Sequence, residues 1–150
     1  MDKLPLRPNT CLIIQNDKGQ YLLAERYREA GVWQFPQGGI EKGMTPAETA
    51  LKEGHEELGV PEDAFQIIKV LKAKNEYEFD PIPARYKNKF RGQSQTFVLL
   101  RFLGKDEDIS LTRYDQEFTQ WRWCTIEEVR KMAEPKRLVG YEKAFKELGV

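Results

Sequence analysis

Between Gly38 and Val60 the chain reads G-G-I-E-K-G-M-T-P-A-E-T-A-L-K-E-G-H-E-E-L-G-V, a stretch whose punctuation leaves little freedom in how it folds. Gly38, Gly39 and Gly43 permit a tight backbone path. Thr45-Pro46-Ala47-Glu48 then supplies an N-cap, a proline at the first helical position and a capping-box glutamate. Gly59, just after Leu58, is a left-handed stop. The segment predicts a loop, a helix of about 13 residues and a terminator.

On that helix Glu53, Glu56 and Glu57 fall within roughly 100° of one another, whereas Ala47, Ala50, Leu51, Gly54 and Leu58 form a separate apolar stripe. Acids and core are expected not to overlap. Like charges three or four residues apart oppose one another by about 0.2–0.5 kcal/mol per pair, and anions in a last turn face the negative end of the helix dipole. A divalent cation removes both penalties, and carboxylate oxygens suit Mg²⁺ or Mn²⁺. The competing reading is a solvated acidic face with Lys52 paired to Glu56. The glycine loop and engineered-looking helix start favour a metal and diphosphate arrangement over it.

One hundred and fifty residues are enough for one buried core, so residues 1–150 are expected to form a single domain. With 24 basic and 24 acidic residues the formal charge is zero, which excludes a global polyelectrolyte attraction and leaves nucleic-acid contact to a local patch. Cys11 and Cys124 lie in apolar, strand-like runs without metal spacing and read as buried thiols in a reducing compartment. The N-terminus carries no apolar secretion segment and no run approaches membrane-spanning length. A cytoplasmic protein without membrane contact is the expectation.

Apolar runs at Cys11–Ile14 and Tyr21–Ala24, joined by Asn16-Asp17-Lys18-Gly19-Gln20, have hairpin chemistry. Further strands are expected at Gln66–Lys72, Gln95–Phe102 and Gln120–Cys124. Thr125-Ile126-Glu127-Glu128 is a second capping-box start, and Arg137 to Leu148 has helical spacing before Gly149. Strands interleaved with segregated helices predict an α/β sandwich.

The 38–60 segment resembles the signature of the Nudix hydrolase family: Gly38, Glu53, Glu56, Glu57, Gly59 and Val60 occupy the family's spaced positions. The resemblance implies the same α/β/α sandwich with a central mixed sheet. Three positions depart. Met44 stands where the family has a glutamate, Lys52 where it has arginine, and Gly54 where it has an aliphatic residue. Lys52 lacks the planar fork of arginine and Met44 accepts no salt bridge, so a working site on a less rigid scaffold is expected. Gly54 costs roughly 1 kcal/mol of helix propensity relative to Ala but lets another element approach.

Outside the box, Arg7-Pro8-Asn9, Trp33 to Gly39, Gly92-Gln93-Ser94-Gln95, Glu117-Phe118 and Trp121-Arg122-Trp123 make the chain similar to bacterial RNA 5′-pyrophosphohydrolases and the related dinucleoside-polyphosphate hydrolases. That resemblance implies Mg²⁺, with Mn²⁺ as a substitute, held by Glu53, Glu56, Glu57, Glu117 and the Gly38 carbonyl. It implies substrate contacts from Arg26, Arg7, Gln37 and Lys136. It implies a 5′-triphosphorylated RNA, or a nucleoside polyphosphate, as substrate. Glu57 is the favoured general base, with Glu53 or Glu117 as alternatives, and Glu56 completes the catalytic acids. A dinucleoside-polyphosphate or nucleoside-triphosphate hydrolase, and a catalytically weak nucleotide-binding module, are the rival readings. Oligomeric state stays open, a homodimer included.

Trp33, Trp121 and Trp123 read as packing residues before base platforms. His55 reads as exposed helix surface. Pro81 to Gly92 contains Arg85, Lys87, Lys89 and Arg91 and no acid. If extended, it presents one cationic edge, with Tyr86 and Phe90 opposite. A guide for an RNA backbone and a charge-protected edge strand weigh equally there.

Overall fold

The computed structural model describes residues 3–150. In chain order the elements are β1 (Leu6–Gln15), β2 (Tyr21–Arg26), β3 (Trp33–Gln34), β4 (Gln37–Gly39), α1 (Pro46–Leu58), β5 (Phe65–Glu78), β6 (Gly92–Phe102), β7 (Phe118–Cys124), α2 (Ile126–Met132) and α3 (Pro135–Leu148). The strands form one mixed sheet in the order β3-β2-β1-β6-β5, with β4 paired to β1 and β7 to β2. β1 and β6 run parallel from Leu6↔Gly92 to Gln15↔Arg101, and the other pairings are antiparallel.

Side chains alternate across a strand, so each central strand feeds two cores. Cys11 and Ile13 of β1 and Phe97 and Leu99 of β6 point to one face, where Val129, Ala133, Tyr141, Ala144 and Phe145 of the α2–α3 side cover them. Leu12, Ile14, Val98, Leu100 and Phe102 point to the other face, where Ala50 and Leu58 of α1 cover them. β1 and β6 are buried on both faces and read as continuous apolar runs for that reason. The result is the expected α/β/α sandwich. Cys11 and Cys124 are buried free thiols. Trp33 packs against the first core, and Trp121 and Trp123 against the second, in keeping with packing roles.

α1 is built as its sequence directs. Thr45 accepts from the Glu48 amide, the Glu48 side chain returns to the Thr45 amide, Pro46 opens the helix, and Gly59 closes it at φ 66°. Gly54 is required by packing: a Cβ there would lie 2.7 Å from the Phe65 ring. The element that approaches is therefore the start of β5.

The strands outrun their sequence signals. β5 extends to Glu78 and β6 begins at Gly92, because two polar rows hold their ends together: Arg7 donates to Gln93, which bonds Tyr77, and Asn75 donates to Gln95, which bonds Asn9. The connecting segment corrects the extended reading. Its centre, Ala84–Tyr86, is a 3₁₀ turn, and Asn88 adopts φ 66°. Pro81 and Pro83 remove ladder donors, and Tyr86 folds back to stack on Phe79 at 5.4 Å, so no single cationic edge forms. Among the described residues, no helix is long and apolar enough to cross a membrane.

Candidate active site

Two cavities hold the residues singled out by the sequence. One, of about 670 Å³, is lined by Glu53, His55, Glu56, Glu57, Arg113, Tyr114, Asp115 and Glu117. The other, of about 490 Å³, includes Arg7, Arg26, Gln37, Tyr77, Phe79, Arg85, Tyr86, Lys136 and Arg137 in its lining. Acids predominate in the first, beside Arg113, and cations in the second, beside Glu78 and Glu134. The four glutamates expected to act together share one cavity, and the four expected substrate contacts, Arg7, Arg26, Gln37 and Lys136, share the other.

α1 supplies three acids on its last turns, and the loop before β7 supplies the fourth. The Tyr27 amide donates to the Glu117 carbonyl at 2.8 Å, which ties that loop to the end of β2. Gly38 does not line the acid cavity, but the Glu53 carboxyl lies directly against its Cα, in space a Cβ would fill. The box glycine is thus a seat for Glu53.

Glu57 departs from the expected separation of acids and core, since it is 8% exposed. Its Oε2 is buried without a hydrogen-bond partner. Burial first, then Glu53, Glu117 and Glu56, push its carboxyl well above the ordinary range, partly opposed by the Gln37 backbone. Burial and Glu56 chiefly push Glu53 up to about 7, with Glu117 adding to the rise and Lys52 and Arg7 opposing it. An orphaned buried oxygen among mutually repelling carboxylates is relieved by a proton or by a cation, and carboxylate oxygens suit hard cations. Among the described residues no three acidic, histidine or cysteine side chains converge into a finished cage. The acids line one shared space.

Lys52 finds an acid partner outside the helix. Its Nζ lies 2.7 Å from Glu41 and 3.9 Å from Glu56, so a loop acid three residues before Met44 serves as its partner. His55 is likewise not open surface: its Nδ1 donates to the Val60 carbonyl at 2.7 Å and its ring centroid lies 5.0 Å from that of Tyr114.

Across β4 the Arg7 guanidinium lies against Gly39 and over the Tyr86 ring at 5.0 Å. Arg85 lies 4.8 Å from the same ring. Arg26 bonds Glu29 at 2.7 Å and Gln34 at 3.0 Å, which holds its head at the rim. Gln37 accepts from Gln95 at 2.6 Å. Of the four basic residues in the 81–92 segment, Arg91 turns inward to Glu78 and the Leu4 carbonyl, Arg85 lines the cavity, and Lys87 and Lys89 are exposed. Sequence reasoning missed Arg137, Tyr114 and Asp115. Arg137 sits in the first turn of α3 beside Lys136, whereas the loop residues carry no periodic signal.

Comparison with known proteins assigns the chain to a family. A family model described as the NUDIX domain matches residues 5–145. The chain belongs to the Nudix family. The RNA pyrophosphohydrolase of Sphingopyxis alaskensis is 34% identical, the alignment covering 99% of this chain and 96% of that protein. The RNA pyrophosphohydrolase of Rickettsia rickettsii strain Sheila Smith is 35% identical, over 96% of this chain and 90% of that protein. Among solved structures, the Escherichia coli dihydroneopterin triphosphate pyrophosphohydrolase shares the fold with a TM-score of 0.71 at 16% identity, covering 99% of this chain and 100% of that one. A C. elegans Ap4A hydrolase binary complex gives 0.66 at 18% identity, covering 95% and 99%.

Proposed function

We propose that this chain is a metal-dependent hydrolase that converts the 5′-triphosphate of an RNA to a 5′-monophosphate. The observation that carries the reading is the pairing of cavities: four glutamates in one and the cations Arg7, Arg26 and Lys136 in the other. A polyphosphate needs both. The named activity of relatives that match nearly end to end supports the choice of RNA.

Glu53, Glu56, Glu57 and Glu117, with the Gly38 carbonyl, would hold the metal, Mg²⁺ by preference and Mn²⁺ as a substitute. When bound, such an ion neutralises phosphate charge, keeps the acid cluster ionised and lowers the pKa of water. Arg7, Arg26 and Lys136 would orient the phosphates by charge-assisted hydrogen bonds, and Gln37, fixed by Gln95, would contact the substrate beside them. Water attacks phosphorus as the bridging P–O bond breaks, and the released diphosphate, or two phosphates in succession, carries away the bond electrons. The unpartnered Glu57 Oε2 takes the water's proton. Glu53 and Glu117 are the alternative acceptors. Residues 1–150 act as one domain in this reading, because one sheet carries both cores.

The test compares 5′-triphosphorylated RNA, diadenosine tetraphosphate and GTP side by side with Mg²⁺ and with chelator, following product identity. Fastest release of 5′-monophosphorylated RNA is expected. Preference for either small nucleotide would assign the rival hydrolase reading, and nucleotide binding without phosphate release would assign a binding module.

A further inference from the structure

The loop that brings Glu117 to the acid cavity needs a restraint, because the charge it carries is repelled by the acids it joins. The loop is fixed at its start, where the Ser110 amide donates to the Leu58 carbonyl at 2.8 Å, and at its end, where the Glu117 carbonyl accepts from Tyr27 at 2.8 Å. At the middle, the Tyr114 ring lies 5.0 Å from the His55 ring, tilted by 52°. His55 is itself immobilised, since Nδ1 donates to the carbonyl of buried Val60. It stands on α1 between Glu53 and Glu56, so one helical turn carries both the acids and the anchor for the loop that completes them.

We infer that His55 and Tyr114 form a positioning pair that sets the Glu117 loop against α1 and thereby fixes the geometry of the four-acid site. The role is that of a spacer. The ring contact sets the distance, while Glu117 does the binding three residues further along the loop. Tyr114 is 48% exposed, an orientation that serves no core, and both rings line the acid cavity. The contact therefore acts on site geometry and not on folding.

This inference rests on the metal reading of the acid cavity, and its test is binding of Mn²⁺ to the full chain without substrate. Removing a group that orients metal ligands commonly costs about 10–100-fold in affinity. Tyr114→Ala and His55→Ala are expected to weaken Mn²⁺ binding by about tenfold, at the low end of that range. Tyr114→Phe keeps the ring and is expected to bind like wild type. In combination with Glu117→Gln, Tyr114→Ala is expected to add little, because the loop no longer carries a ligand to position. Melting temperature should stay at the wild-type value in Tyr114→Ala. Unchanged Mn²⁺ affinity in Tyr114→Ala, or a loss that adds in full to that of Glu117→Gln, would overturn the positioning role. If wild type and Glu53→Gln bound Mn²⁺ alike, the metal reading itself would fail, a result separable from the first because it does not involve the loop.

Discussion

The Glu53 carboxyl and the Arg7 guanidinium lie against neighbouring residues of β4, Glu53 on Gly38 and Arg7 on Gly39. Successive strand positions face opposite sides of a sheet, so an acid from α1 and a base from β1 are brought close with only glycine backbone between them. Arg7 lowers the pKa of Glu53 across that thin wall. Glu53 lines the acid cavity and Arg7 the cationic one.

Metal-free stability should report the crowding of the acids. A carboxyl whose folded pKa is raised binds its proton more tightly when folded. Its favourable contribution is present below the unfolded value of 4.5 and is lost as pH rises through about 7 for Glu53. Glu53→Gln should therefore melt higher than wild type at pH 8, by a gain on the order of 1 kcal/mol or roughly 2–4 °C, and the gain should vanish below about pH 4.5. Glu57→Gln should follow the same direction. Thermal scans with chelator across pH check this, and a destabilised Glu53→Gln at pH 8 would contradict it.

The cations should separate by role. Arg26→Ala is expected to slow hydrolysis of all polyphosphates alike, since it stands at the rim where phosphate would enter. Neutralising Arg85, Lys87 and Lys89 should weaken a long RNA more than a mononucleotide and flatten the salt dependence. Arg91 belongs to neither group, because it binds Glu78 and the Leu4 carbonyl and its loss should lower stability instead. Equal losses on both substrate lengths would remove the RNA-backbone role of this loop.

Lys52 already has an acid partner, so rebuilding the family pair should yield little. Met44→Glu with Lys52→Arg is expected to leave turnover within about twofold of wild type, as an exposed pair contributes about 0–1 kcal/mol. Glu41→Gln should couple to Lys52→Ala in a double-mutant cycle by the same small amount. A large gain on restoring the pair would mean that Glu41 does not replace it.

Gly54→Ala sets helix propensity against packing. The gain of about 1 kcal/mol from replacing glycine competes with forcing the Phe65 ring, which also contacts Phe102, out of its place. Overpacking of a tight core typically costs about 1–3 kcal/mol, so a lower melting temperature is expected. A higher one would show that Phe65 yields freely.

Much of this was legible in the residues. Helix α1 could be read from Thr45 to Gly59 because every local signal agrees, and the four acids could be grouped because three share a helical face and the family resemblance named the fourth. The burial of Glu57 was not legible, since it depends on α1 packing against the distant strand β4, where the Gln37 backbone meets its carboxyl. The partnership of Lys52 with Glu41 depends on how the glycine loop returns to the helix, 11 residues away in sequence. The 81–92 segment misled because alternating charge implies a strand only if the backbone can enter a ladder, which Pro81 and Pro83 oppose. β3 and β4 are too short for periodicity to announce them.

The most direct measurement is turnover of 5′-triphosphorylated RNA by Glu57→Gln and Glu56→Gln with saturating Mg²⁺, beside their melting temperatures without metal. Each change removes a charge that holds metal or accepts a proton, so turnover is expected to fall by at least about a hundredfold. RNA binding through Arg7 and Lys136 should persist, and neither protein should melt below wild type. Variants that melt early yet turn over at the wild-type rate would contradict the account and make these glutamates structural.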